Sequence, residues 1–140
     1  MVTATFAHVG LTCEDPIAIE EFYAKYFGFK RARVISLGAT QIVFIKAATV
    51  YLELFQATEA APIAPPAQDG YPWPGLRHLA FTVDDVDAKL AELGEAVPVM
   101  LGPADFSDFI PGWKGAWLAD PEGNIIELSQ GYQDDLTLVL

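Results

Sequence analysis

The chain has 140 residues, 52% hydrophobic and 19% charged, which suits one globular domain and lies well away from the disordered range. Nineteen acidic residues against eight basic ones leave a net charge of −11, which argues against nucleic acid and against anionic membrane surfaces as partners. No apolar run reaches the roughly 18 residues of a membrane span, and the start, "MVTATFAHVG", lacks the basic and apolar regions of a secretory signal. The expected location is the cytoplasm. Cys13 is the lone cysteine and cannot form an internal disulfide; it reads as a small hydrophobe on a strand.

The first element is a strand, "FAHVGLT", whose alternation sends His8, Gly10 and Thr12 to one face and Val9 and Leu11 to the other. "EDPIAIEEFYAKYFGF" then reads as a helix. Asp15 stands at the N-cap, Pro16 at the first helical position, acids in the first turn, and Gly28 at the stop. Ile19, Phe22, Tyr23, Tyr26 and Phe27 form its apolar stripe. Three strands follow, "FKRARVI", "TQIVFI" and "TVYLELF", broken at Gly38 and at the "KAA" turn.

Residues 57–76 hold five of the ten prolines and show no regular period, so they read as a linker or a long functional loop. The order then repeats. "LRHLAFTV" is a strand, and "DDVDAKLAELG" is a helix capped by Asp84 or Asp85, with Val86, Leu90 and Leu93 inward and Gly94 at its end. "AVPVML", "KGAWLA" and "NIIELSQ" supply three more strands, the last two joined by the turn "DPEGN" with Gly123 where φ > 0 is needed. The final "LTLVL" reads as an added edge strand or an interface segment.

Each half is therefore β-α-β-β-β, within a single domain built of module 4–56, linker 57–76, module 77–131 and tail 132–140. The two histidines, His8 and His78, are 70 residues apart, as are Asp15 and Asp85, while Glu53 and Glu127 are 74 apart. An internal duplication accounts for this spacing.

The last strand of each half carries a lone acid in an apolar run, Glu53 in "VYLELF" and Glu127 in "NIIELS". Alternation places Glu53 beside Tyr51 and Phe55, and Glu127 beside Ile125 and Ser129. A carboxylate buried there without a partner costs several kcal/mol. The bases offer no obvious partner at both places, whereas two imidazoles and a divalent ion do. Either the histidines are satisfied core residues, or His8, Glu53, His78 and Glu127 form one centre. Two nitrogens and two carboxylate oxygens suit Zn, Ni, Co, Mn or Fe(II), with positions left for water or substrate.

Together, "HVGLTCEDP", "YLELF", "RHLAFTV" and "DPEGNIIEL" resemble the vicinal oxygen chelate superfamily, over roughly residues 5–131. That group includes glyoxalase I, methylmalonyl-CoA epimerase, extradiol dioxygenases, fosfomycin-modifying enzymes and bleomycin-binding proteins. The resemblance implies an α+β fold of two tandem βαβββ modules, whose curved sheets form a cup around a metal site. It matches His8, Glu53, His78 and Glu127 to the four metal positions of the glyoxalase I type. It further implies a metal-dependent lyase or isomerase moving a proton α to a metal-bound carbonyl or vicinal oxygen, with Glu127 as the base and Glu53 as ligand or second proton carrier. A homodimer is expected on the same ground.

Some residues depart from that pattern. Compact bacterial glyoxalase I has Arg and Asn where this chain has Thr12 and Ala57, so glutathione recognition would fall to Arg31, Arg33, Arg77 or Lys114. Methylmalonyl-CoA epimerase typically has Gln at the position of Glu53. An extradiol dioxygenase would use two histidines and one carboxylate on Fe(II) with a further histidine assisting, and no third histidine exists here. The remaining alternative is a non-enzymatic small-molecule (drug) binding protein. Phe106, Trp113, Trp73, Tyr51 and Phe55 are the candidate substrate-binding residues, and Trp117, inside a strand run, reads as core.

Overall fold

The computed structural model describes residues 1–138, and the chain divides into two compact units, Met1–Ile63 and Ala64–Leu140. In the first, β1 (His8–Cys13), α1 (Pro16–Phe27), β2 (Lys30–Leu37), β3 (Thr40–Ala47) and β4 (Val50–Gln56) follow in chain order. They build a mixed sheet in the order β1-β4-β3-β2, with β1 parallel to β4 and the other pairs antiparallel. A parallel pair cannot be joined by a tight turn, so the chain crosses over through α1 before its three antiparallel strands.

The helix starts where its capping chemistry starts. The Asp15 carboxylate accepts from the Ala18 amide at 3.1 Å, Pro16 opens the first turn, and Gly28, at φ 71°, stops it. The acids differ from expectation: none lies in the first turn, because Glu20 and Glu21 fall one turn later. Ile19 and Tyr23 are fully buried with Cys13, Ile45 and Leu54 on the helix side of the sheet. Each such apolar side chain contributes about 1.5–3 kcal/mol by leaving water.

The second unit repeats the plan with β5 (Leu79–Thr82), α2 (Val86–Leu93), β6 (Val99–Asp105), β7 (Lys114–Ala119) and β8 (Ile125–Gln130), in the sheet order β5-β8-β7-β6. Asp85 rather than Asp84 caps α2, accepting from the Ala88 amide at 3.0 Å. Val86 and Leu93 are buried against Ala116, Leu118, Ile126 and Leu128, whereas Leu90 is only half-buried. Strand β6 runs four residues beyond its expected end at Leu101, with register shifts on either side of that residue.

The turn between β7 and β8 is held by Asp120, which is 5% exposed. Its carboxylate accepts from the amides of Glu122 and Asn124, both at 2.9 Å, and from the Asn124 side chain at 2.8 Å, while Gly123 adopts φ 86°. A buried carboxylate is tolerated there because three donors replace its water.

Residues 57–78 contain no helix or strand. In the tail, Leu136 and Thr137 form a turn whose amide and hydroxyl donate to Asp135, so residues 132–138 add no strand. Val139 and Leu140, the end of the "LTLVL" segment, lie outside the described residues. Among the described residues, no helix is long and apolar enough to cross a membrane.

Candidate metal and ligand site

The two sheets place their histidine and glutamate in the same register. On the first, Gly10 of β1 lies opposite Glu53 of β4, and His8 lies two residues earlier on the same face. On the second, Ala80 of β5 lies opposite Glu127 of β8, with His78 two residues earlier. Period-two geometry then turns both side chains of each pair away from the helix-covered core. The outcome is a contact in each module: His8 Nε2 to Glu53 Oε1 at 3.0 Å, and His78 Nε2 to Glu127 Oε1 at 3.2 Å.

The acids are less buried than their apolar neighbours suggest. The Glu53 and Glu127 side chains are 17% and 20% exposed, so solvent and an imidazole share their stabilisation. Among the described residues, no group of three or more His, Cys, Asp or Glu side chains gathers as a metal-holding set. Each module by itself supplies one nitrogen and one oxygen donor.

The two histidines differ in how they are held. His8 packs edge-on against Phe44, with ring centroids 5.6 Å apart. The His78 Nδ1 lies 2.7 Å from the carbonyl oxygen of Asp69, in the segment before β5. That segment is closed by Arg77, which donates to both Asp69 carboxylate oxygens at 3.2 Å. A Cβ added to Gly70, at φ 128°, would sit 2.2 Å from the Arg77 carbonyl oxygen, so only glycine admits this approach.

Around each pair lie the candidate ligand-binding side chains. Tyr51 and Phe55 flank Glu53 on β4, and Lys46 sits over the Tyr51 ring at 5.0 Å. In the second module, Phe106 and Trp113 are 5.0 Å apart, and the Trp113 indole donates weakly to the Ser129 hydroxyl at 3.4 Å. Trp73 is stacked on Tyr71 at 4.5 Å and 53% exposed.

Sequence reasoning placed Trp117 in the core. It is indeed buried, at 8% exposure, but it lies opposite Glu127 on the face that carries the acid. Its ring is 6.1 Å from Phe106 and 6.5 Å from His78. Its Nε1 is sealed from solvent and meets no acceptor among the described residues. Such a donor costs about 1–3 kcal/mol when left unsatisfied. Alternation in "KGAWLA" could have revealed it, since Ala116 and Leu118 fill the core side and Gly115 and Ala119 flank Trp117 on the other.

The candidate bases for a carboxylate-rich ligand such as glutathione are mostly engaged. Arg31 binds Glu20 at 2.6 and 3.0 Å, which holds its guanidinium above its ordinary pKa. Arg77 is taken by Asp69, and Lys114 by Asp87, whose hydrogen bond likewise raises the lysine. Arg33 lies exposed on β2.

The family model of the Glyoxalase/Bleomycin resistance protein/Dioxygenase superfamily matches residues 5–128. The chain belongs to that superfamily. Among curated proteins there is no match. Solved structures agree on the superfamily's fold. A glyoxalase family protein from Enterococcus faecalis is 28% identical, with a TM-score of 0.69 over 90% of this chain and 97% of the other. TnmS3, an antibiotic binding protein from Streptomyces sp. CB03234, is 27% identical, with a TM-score of 0.65 over 94% and 99%. A glyoxalase family protein from Bacillus cereus, 14% identical, matches in fold with a TM-score of 0.74 over 95% and 97%. The superfamily contains both enzymes and binding proteins, so membership supplies the fold and a range of chemistry rather than one reaction.

Proposed function

We propose that this glyoxalase-superfamily protein is a divalent-metal-dependent lyase or isomerase acting on a small oxygenated substrate. His8, Glu53, His78 and Glu127 are its four metal donors, from one chain or from two copies in a homodimer. The matched register carries the reading: unrelated core residues have no reason to repeat a 3.0–3.2 Å imidazole–carboxylate contact at the same place in both modules. The donor chemistry fits, because two borderline nitrogens and two hard oxygens suit Zn, Ni, Co, Mn or Fe(II).

A divalent ion held there would polarise a carbonyl or vicinal oxygen of the substrate. Glu127 takes the proton from the adjacent carbon, and Glu53 serves as ligand and second proton carrier. The Asp69 carbonyl keeps the His78 ring oriented. Tyr51, Phe55, Phe106 and Trp113, with Trp73 from the 57–78 segment, bind the apolar part of the substrate and exclude water from the transferred proton. Glutathione is not part of the proposal, since three of the four candidate bases are already paired. We place the protein in the cytoplasm on its single cysteine and its composition.

The test is deuterium incorporation from D₂O into small α-hydroxy and α-keto carbonyl compounds by metal-loaded protein, with E127Q and E53Q as separate variants. The reading expects exchange that E127Q slows by about 10²- to 10⁴-fold, the usual share of a general base. Full exchange in E127Q would remove Glu127 from that role.

A second reading, a small-molecule binding protein, draws on the ring cluster Phe106–Trp113–Trp117 and on the antibiotic binding relative. Ligand retention without turnover would favour it.

A further inference from the structure

Acids outnumber bases by 19 to eight in this chain, yet several bases go without an acidic partner. Arg31, Arg77, Lys89 and Lys114 each meet a carboxylate. Lys25 stands in the last turn of α1, where a cation suits the helix end, and lies over the Tyr26 ring at 5.0 Å. Lys30, Arg33 and Lys46 meet no acid among the described residues.

These three share one face of the first sheet. Lys30 of β2 lies opposite Lys46 of β3, which lies opposite Tyr51 of β4. In the next row, Arg33 lies opposite Phe44, which lies opposite Glu53. Directly opposed residues project to the same side, so all three bases look out with His8 and Glu53. Arg33 reaches that side through a bulge. Plain alternation would turn it with Arg31 towards α1, where Arg31 binds Glu20. The register shift between Arg31 and Arg33 adds a residue to β2 and turns Arg33 over.

Glu53 is the sole acid that the register places on this face, and all three bases are exposed there. Neighbouring strands lie about 4.8 Å apart, so the Arg33 and Glu53 backbones are separated by about 10 Å. Unpaired cations grouped on one face of a protein of net charge −11 make that face a local attractor for anions.

We propose that Lys30, Arg33 and Lys46 hold the carboxylate of a small organic acid whose carbonyl end lies towards His8 and Glu53. The Arg33 fork matches a carboxylate in two hydrogen bonds, and the lysines add charge. This names the substrate class of the site proposed above and rests on that reading for the reaction, but the carboxylate is held without metal.

The experiment uses EDTA-treated full-length protein in about 10 mM salt, where screening is weak. The probes are 4-oxopentanoate and its neutral methyl ester, followed through the Arg33 and Lys46 side-chain NMR resonances. The acid should shift both and bind about tenfold more tightly than the ester, the size of two or three exposed charge contacts. In R33Q/K46Q that preference should fall to within about twofold, with R33Q and K46Q singly in between. K25Q, whose base lies on α1, should keep it.

Equal affinity for the two probes, no shift at Arg33 or Lys46 with either, or a preference that K25Q lowers as far as R33Q/K46Q would each overturn the assignment. Metal is absent throughout, so these outcomes stand apart from success or failure of the metal site.

Discussion

The Nδ1 of His78 donates to the backbone carbonyl of Asp69 across 2.7 Å, because a carbonyl oxygen can only accept. An uncharged ring held this way turns a bare Nε2 towards the Glu127 carboxylate 3.2 Å away. Two lone pairs at that distance need a proton or a cation between them. The carbonyl thus leaves Nε2 as the ring's free donor atom, the arrangement common among metal-binding histidines.

Loosening that carbonyl should therefore weaken metal binding without unfolding the protein. In G70A the new methyl would strike the Arg77 backbone and displace the segment that holds Asp69. We expect about 10- to 100-fold weaker Zn binding in competition with a chromophoric chelator, and an unchanged far-ultraviolet circular dichroism spectrum. Unaltered affinity would show that the Asp69 carbonyl does not position His78 for metal.

The β7–β8 turn depends on a single side chain. D120A removes the acceptor for two amides and the Asn124 side chain in a site that water scarcely reaches. Urea unfolding should show a loss of about 2–3 kcal/mol, typical of hydrogen bonds to a charged group. D120N, which keeps an acceptor oxygen, should lose less. Equal losses for the two would mean that volume rather than hydrogen bonding matters there.

The core of the first module is ordinary close packing. Leu54 is fully buried on β4 beside Leu52 and Val43. L54A should destabilise by about 2–5 kcal/mol through lost transfer energy and the cavity left behind. Thermal or urea unfolding checks it, and a loss under about 1 kcal/mol would mean that the site collapses around the smaller side chain.

At the start of the β6–β7 connection, the Ser107 hydroxyl and amide donate to Asp105 and hold its carboxyl below the ordinary range, helped slightly by Lys114. The sign follows: a depressed folded pKa contributes stability above the ordinary carboxylate value, lost as the pH falls through the folded value. S107A should return the Asp105 titration, followed by carboxyl ¹³C shifts, towards the value of a free aspartate. Titration unchanged in S107A would contradict the assigned cause.

Much of this was legible in the residues. Capping and stop signals at Asp15, Gly28, Asp85 and Gly94 set the helix ends, since those positions answer to local backbone chemistry. The duplicated spacing of His8 with His78 and Glu53 with Glu127 singled out these four residues because strand alternation is strict, while the contact within each module, His8–Glu53 and His78–Glu127, was not foreseen. Less local features were not readable. The Asp69–His78 contact arises from a proline-rich segment without period, and nothing in its composition names an acceptor. Trp117 is buried, as its place inside a strand run indicated, and parity adds that it lies opposite Glu127. The expected run "AVPVML" ends at Leu101, whereas β6 continues through Gly102 and Pro103 to Asp105 with a register shift.

The most direct measurement is metal content, by mass spectrometry, of protein purified without an affinity tag, beside the H8A/H78A double variant. Wild-type protein should carry about one divalent ion per chain and the variant none. The ion then directs the assays, Zn, Ni, Co or Mn towards isomerase and lyase screens and Fe(II) towards oxygen uptake with catechols. No metal in the wild type, even after reconstitution with each of these ions, would mean that the four residues form no metal centre and would favour the binding-protein reading.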